Sequence, residues 1–158
     1  MHKISLLLCT IAPLLFHNMA CAKQLKNVAS EPKNVEFLNT KPASKTLPFS
    51  EAVRVENTLY LSGQIGIDPK TSKLAKGGVI AETNQTLTNI QQVLKSHGYD
   101  MENVVKCTVM LTNIADFAAF NRVYTRFFSP PYPARSAFAV NKLALNATVE
   151  VECIASTH

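Results

Sequence analysis

Histidine, cysteine and glycine are scarce in this chain of 158 residues, and each shortage removes a class of chemistry. Beyond the first 22 residues only His97 and His158 remain. Neither stands beside Cys107 or Cys153, the two cysteines of that stretch, so a zinc set has almost no ligands to draw on. No metal site is expected from these residues. Gly77-Gly78 is too little for a phosphate-cradling loop and reads as a turn. There is no internal repeat and no low-complexity tract. A dense basic stripe is missing too: Lys23, Lys26, Lys33, Lys41 and Lys45 dot a polar lead without interleaved aromatics. A solvated basic surface explains such scattered charge, and no nucleic-acid partner is expected.

The chain also lacks an apolar run of the roughly 20 residues that cross a bilayer. What it has is shorter. Met1-His2-Lys3 supplies a positive start, Ile4 to Phe16 is nearly all apolar, and Ala20-Cys21-Ala22 is a small-x-small cleavage pattern. Residues 1–22 therefore read as a signal peptide cut after Ala22, giving an exported protein, periplasmic or secreted, that begins at Lys23. No stable membrane anchor is expected. Asn18, three residues before Cys21, is not the aliphatic residue a lipid-anchoring site uses. Removing Lys3 leaves 15 basic against 11 acidic residues, a mild net charge of +4. Cys107 and Cys153 both lie in strand-like runs. Export permits a disulfide between them, and two buried free thiols are the other reading.

The length suits one domain. Residues 23–46 form a polar lead with Pro32 and Pro42, expected to be partly ordered at best, and a single domain follows over 47–158. Ala52, Val53 and Val55, the turn Glu56-Asn57, and Leu59 to Ile65 read as a β-hairpin. Asp68-Pro69-Lys70-Thr71 is turn chemistry. Ile80, Leu87, Ile90, Val93 and Leu94 follow helical spacing, with Gly98 as a C-terminal stop. A strand over Val104–Leu111 comes next. Asn113 then caps a helix expected over Ile114–Phe128, with Phe117, Phe120, Tyr124 and Phe127 as its core stripe. Two more strands, Ser136–Val140 and Ala147–Ala155, complete the order. Two helices cannot cover both faces of so large a sheet, so an α+β arrangement with both on one face is expected. In the last strand Val149, Val151, Cys153 and Ala155 point one way, and Thr148, Glu150, Glu152 and Ile154 the other. A face mixing carboxylates with apolar residues suits a subunit interface with a polar site in it.

Two residues carry candidate chemistry. Arg135, in Tyr132-Pro133-Ala134-Arg135-Ser136, presents paired donors that match a carboxylate, and Pro133 stiffens its approach. Glu150, held in a dry interface, can have its pKa raised and act as general acid or base. Taken singly, Arg135 is more often a surface ion-pair residue, and Glu150 more often a solvated strand glutamate paired with a lysine. Ser62 has no histidine placed by motif to activate it and reads as a pocket-lining hydroxyl. Asn121 reads as a helix-surface amide or a pocket wall.

Over residues 49–155 the chain resembles the Rid (YjgF-like) family of reactive-intermediate deaminases. The resemblance rests on Leu61-Ser62-Gly63-Gln64-Ile65 with Asp68-Pro69-Lys70-Thr71, and on Pro133-Ala134-Arg135-Ser136 leading to Val149-Glu150-Val151-Glu152. It implies a chorismate-mutase-like α+β subunit in a homotrimer, with clefts between subunits and no cofactor. It implies hydrolysis of small enamines and imines, such as 2-iminopropanoate and 2-iminobutanoate, to the 2-keto acid and ammonia. Carried over, Arg135 clamps the substrate carboxylate and Glu150 positions or activates water. Ser62, Gly63, Asn121, Phe49 and Ala137 line the cleft, with Phe49 where deaminase members place a tyrosine and Ala137 where they place a cysteine. Non-catalytic capture of a small carboxylate, or a chaperone-like role, is the alternative on the same fold.

Overall fold

A computed structural model describes residues 34–40 and 47–157. Nine strands and two α-helices follow in the order β1 (Val35–Leu38), β2 (Ala52–Val55), β3 (Thr58–Leu61), β4 (Gln64–Ile65), β5 (Ile67–Asp68), β6 (Lys73–Leu74), α1 (Gly78–Ser96), β7 (Val104–Leu111), α2 (Phe117–Tyr124), β8 (Ala134–Ala139) and β9 (Val149–Ser156). The main sheet runs β1-β2-β3-β9-β7-β8, with β4 also paired to β9; β5 and β6 form a separate hairpin. All pairings are antiparallel except β7 with β8, which is parallel. The proposed signal peptide and most of the polar lead lie outside the described residues.

Local chemistry accounts for the main elements. Glu56 takes a positive φ of 54° in the turn between β2 and β3. The Asp68 carboxylate accepts from the Lys70 amide at 2.8 Å and shapes the β5–β6 turn. Gly98, with φ of +84°, follows α1 as its stop. The Asn113 side chain accepts from the Ala115 amide, starting the 3₁₀ turn that leads into α2.

Both helices share one face of the sheet, and the core lies there. Leu87, Ile90 and Leu94 of α1, and Phe120 and Val123 of α2, join Leu59, Val109, Val149 and Val151 in one cluster. The division expected along β9 holds: Val149, Val151, Cys153 and Ala155 are buried, while Glu150 and Glu152 lie opposite. Gly66 lets α1 approach the sheet, because a Cβ there would come within 2.7 Å of Glu82 Cα.

Three sequence expectations need correction. Val35–Leu38 falls in the stretch read as a polar lead, yet it forms β1, because alternating Val35 and Phe37 match the β2 register. The second helix is α-helical only over Phe117–Tyr124: the preceding Ile114–Asp116 is a 3₁₀ turn, and the chain unwinds before Pro130. Ile80, expected on the core face of α1, is 49% exposed; buried Glu82, Thr83 and Thr86 take the first turns of that face.

The cysteine question has an answer in the fold. Cys107 of β7 and Cys153 of β9 are register partners, with Cα atoms 4.1 Å apart, and form a disulfide inside the core. It closes a loop across the two central strands. Reducing it during unfolding is expected to cost about 2 to 4 kcal/mol of stability. Urea unfolding with and without a dithiol reductant checks this, and coincident curves would mean that the bond does not support the fold.

Candidate active site

The candidate residues gather in two groups on opposite faces of the sheet. The first surrounds Glu150. In β9 it stands in register with Met110 on one side and Ile65 on the other, so its side chain leaves the sheet away from the helices. It packs on Gly63, where an added Cβ would overlap Oε1 and lie 3.0 Å from Cδ. Glycine at this position therefore makes the carboxylate's seat. Glu150 is half-buried. Burial, and after it the like charge of Glu152, push its pKa above the ordinary carboxylate value.

Ser62 borders the same seat, but its hydroxyl donates to the Ser50 carbonyl at 2.7 Å, and its amide donates to the Glu51 carbonyl at 3.0 Å. The serine is thus a strut that ties Gly63 to the segment before β2 and no nucleophile is prepared there. That segment carries Phe49, 59% exposed on the surface.

The second group surrounds Arg135. Parallel pairing places it beside Cys107, on the helix side of the sheet. Its guanidinium lies over three rings of α2, with Cζ 4.5 Å from the centroid of Tyr124, 5.5 Å from Phe117 and 5.6 Å from Phe120. No salt bridge or hydrogen bond engages it among the described residues. By contrast, Arg54 is bound to Glu36 at 3.0 Å and to the His97 carbonyl at 2.8 Å. One arginine is a structural tie, and the other has its donors free among the described residues.

Asn121 shares α2 with those rings, and its buried Oδ1 finds no donor among the described residues. The Tyr124 hydroxyl is likewise buried without a partner. Burial raises the Tyr124 pKa, which the Arg135 charge opposes, so the phenol stays neutral. Ala137, two residues beyond Arg135, pairs with Val109 and packs its methyl against the core.

Arg135, Asn121 and Ala137 thus occupy the helix side, and Glu150, Gly63, Ser62 and Phe49 the other group. Within this chain the arginine and the glutamate do not meet. A depression of about 170 Å³ on the open sheet face, lined by Tyr60, Lys106, Thr108, Glu152 and Ile154, includes neither. The residue that sequence reasoning passed over is Tyr124, which appeared only as one member of a core stripe. Phe117, from the same stripe, is 36% exposed, so that stripe serves the arginine as well as the core. The signal was present: three aromatics on one helical face shortly before a Pro-Ala-Arg-Ser segment.

Among the described residues, no cluster of three His, Cys, Asp or Glu side chains could hold a metal ion, and no helix is long and apolar enough to cross a membrane. The chemistry on view is a free guanidinium and a carboxylate of raised pKa.

A family model described as Endoribonuclease L-PSP matches residues 39–157. The 2-iminobutanoate/2-iminopropanoate deaminase of Capra hircus is 49% identical over 108 residues, 68% of this chain and 79% of that protein. The chloroplastic Reactive Intermediate Deaminase A of Arabidopsis thaliana is 40% identical over 131 residues, 82% of this chain and 70% of its own. Among solved structures, RidA of an Antarctic Psychrobacter superposes with a TM-score of 0.72 at 38% identity, covering 77% of this chain and 99% of that one.

Proposed function

The chain belongs to the L-PSP (Rid) family, and from that premise we propose that it hydrolyses small 2-imino acids and their enamines to 2-keto acids and ammonia, at sites completed between subunits of a homotrimer. The observation that carries this reading is the separation of Arg135 from Glu150 across one sheet, each incomplete alone. A neighbouring copy that lays its Glu150 face against the Arg135 edge supplies what each subunit lacks. The open sheet face, with exposed Tyr60 and Phe138, is the apolar surface such a neighbour would cover.

At the completed site the Arg135 fork takes the substrate carboxylate in two parallel hydrogen bonds. Glu150 accepts a proton from water as the oxygen bonds to C2 of the protonated imine, and the C=N electron pair becomes the lone pair of a neutral amine. Glu150 passes that proton to the nitrogen, the C2–N bond then breaks to release ammonia, and the hydroxyl gives its proton back to Glu150 as it becomes the keto oxygen; that proton leaves with ammonia as ammonium. Water is consumed and ammonia released, with no oxidant or reductant. The raised pKa suits this exchange, since a carboxylate nearer neutrality both accepts and returns a proton readily.

The test is ammonia release from 2-iminopropanoate, generated in place by an amino-acid oxidase. Arg135→Ala and Glu150→Gln should each be inactive alone. Co-refolded at equal amounts, they should recover about one quarter of wild-type activity, because a randomly mixed trimer unites an intact arginine half with an intact glutamate half at about one site in four. An active wild type whose variants never complement would place both groups in a single-subunit site. An inactive wild type that still binds 2-oxobutanoate would favour carboxylate capture, the reading that Phe49 and Ala137 leave room for.

We also propose export, with cleavage after Ala22. The Cys107–Cys153 bond supports it, since such bonds persist mainly outside the reducing cytosol. Protein from the native host should begin at Lys23 by amino-terminal sequencing.

A further inference from the structure

An arginine that must receive a ligand carboxylate poses a problem before the ligand arrives. An acidic neighbour would hold its fork but also occupy it. A flexible guanidinium would lose rotamer freedom on each binding event. The surroundings of Arg135 avoid both. Three rings from successive turns of α2 face it, and no carboxylate pairs with it among the described residues. Ring faces carry negative quadrupole density, so they attract the cation while leaving its N–H edge unspent.

The nearest ring is also firmly held. Tyr124 is 4% exposed, and its ring packs 5.5 Å from Phe120 and 4.4 Å from Phe128, centroid to centroid. Its buried hydroxyl makes no hydrogen bond among the described residues, so the contact it offers Arg135 is its ring.

We infer that Tyr124, backed by Phe117 and Phe120, is a positioning residue that holds the Arg135 guanidinium preformed for a carboxylate. It touches no reacting atom and acts through the arginine. The inference rests on the proposed clamp role of Arg135.

The experiment is calorimetric titration of 2-oxobutanoate, a stable keto-acid probe, into the full oligomeric protein and its Tyr124→Phe, Tyr124→Leu and Phe117→Leu variants, with steady-state kinetics alongside. Removing the ring in Tyr124→Leu should weaken binding about 3- to 20-fold, with Phe117→Leu smaller in the same direction. Tyr124→Phe, which restores the ring without the hydroxyl, should recover the affinity that leucine loses. The kinetic loss should fall on KM rather than kcat. Phe117, being partly exposed, keeps the test decisive if the buried Tyr124→Leu variant fails to fold. Wild-type affinity in both leucine variants would overturn the inference while leaving the clamp standing. So would a loss shared by Tyr124→Phe, or one that falls on kcat and KM alike. A wild type that binds no 2-oxobutanoate would instead overturn the clamp itself, and this inference with it.

Discussion

Glu150→Gln is expected to lower kcat by about 10²- to 10⁴-fold, the range for losing a positioned general acid or base. Binding of 2-oxobutanoate should stay within about 2-fold, because in the proposed site its carboxylate is held by Arg135 and not by Glu150. The amide keeps the size of the side chain on Gly63 and removes only the proton chemistry. Full activity in this variant would mean that water is activated elsewhere.

The pH profile gives an independent check. Glu150 works as a base when ionised, so kcat/KM should fall as pH drops through its raised pKa, at a higher pH than an unperturbed glutamate would set. Glu152→Gln removes the like charge that is the second cause of that rise, so the acid limb should move to lower pH. An unmoved limb would assign the ionisation to another group. The stability sign runs opposite to activity. With its folded pKa above its unfolded one, Glu150 favours the fold at low pH, and that contribution is lost as pH rises through the folded value. Glu150→Gln should therefore melt slightly higher than wild type near pH 7. Lower activity together with unimpaired stability would mark the residue as functional.

Arg135→Ala should weaken 2-oxobutanoate binding by about 2 to 5 kcal/mol, or from about 30-fold to several-thousand-fold. The loss is large if the proposed site excludes water, because the ligand carboxylate is then desolvated and left without a partner. Arg135→Lys should recover only part of it, since an ammonium is a point charge without the planar fork. Calorimetry at two salt concentrations separates the roles. A desolvated clamp is screened little, whereas a surface charge that only steers the ligand would lose its effect in salt. Affinity unchanged in Arg135→Ala would remove the arginine from the site.

Much of this protein was legible before its fold. The period-2 alternation of Val149 to Ala155 stated which side chains of β9 would be buried. The helical spacing of Leu87, Ile90, Val93 and Leu94 described the inner face of α1. Gly98 and Asn113 marked helix limits because their side chains, or lack of one, act on the adjacent backbone. The paired motifs around Ser62 and Arg135 carried the family, which the match over residues 39–157 bears out. Boundaries were poorer. The aromatic period suggested a helix to Phe128, but periodicity does not say where α-helical hydrogen bonding gives way to tighter turns.

What the sequence determined by itself is thus whatever depends on neighbours along the chain: element types, the two sides of each strand, the turns and the residue types of the site. Register between distant strands is different, because a slip of one residue sends a side chain to the other face without altering any local pattern. Parallel pairing of β7 with β8 sets Arg135 beside Cys107 on the helix side, while pairing of β9 with β4 sets Glu150 on the opposite side against Gly63. The β7–β9 register that opposes Cys107 to Cys153 likewise turned two candidate thiols into a disulfide. Only the tertiary structure could decide that the arginine and the glutamate point to opposite faces of one sheet, because that is a property of how the strands align and not of what either strand contains.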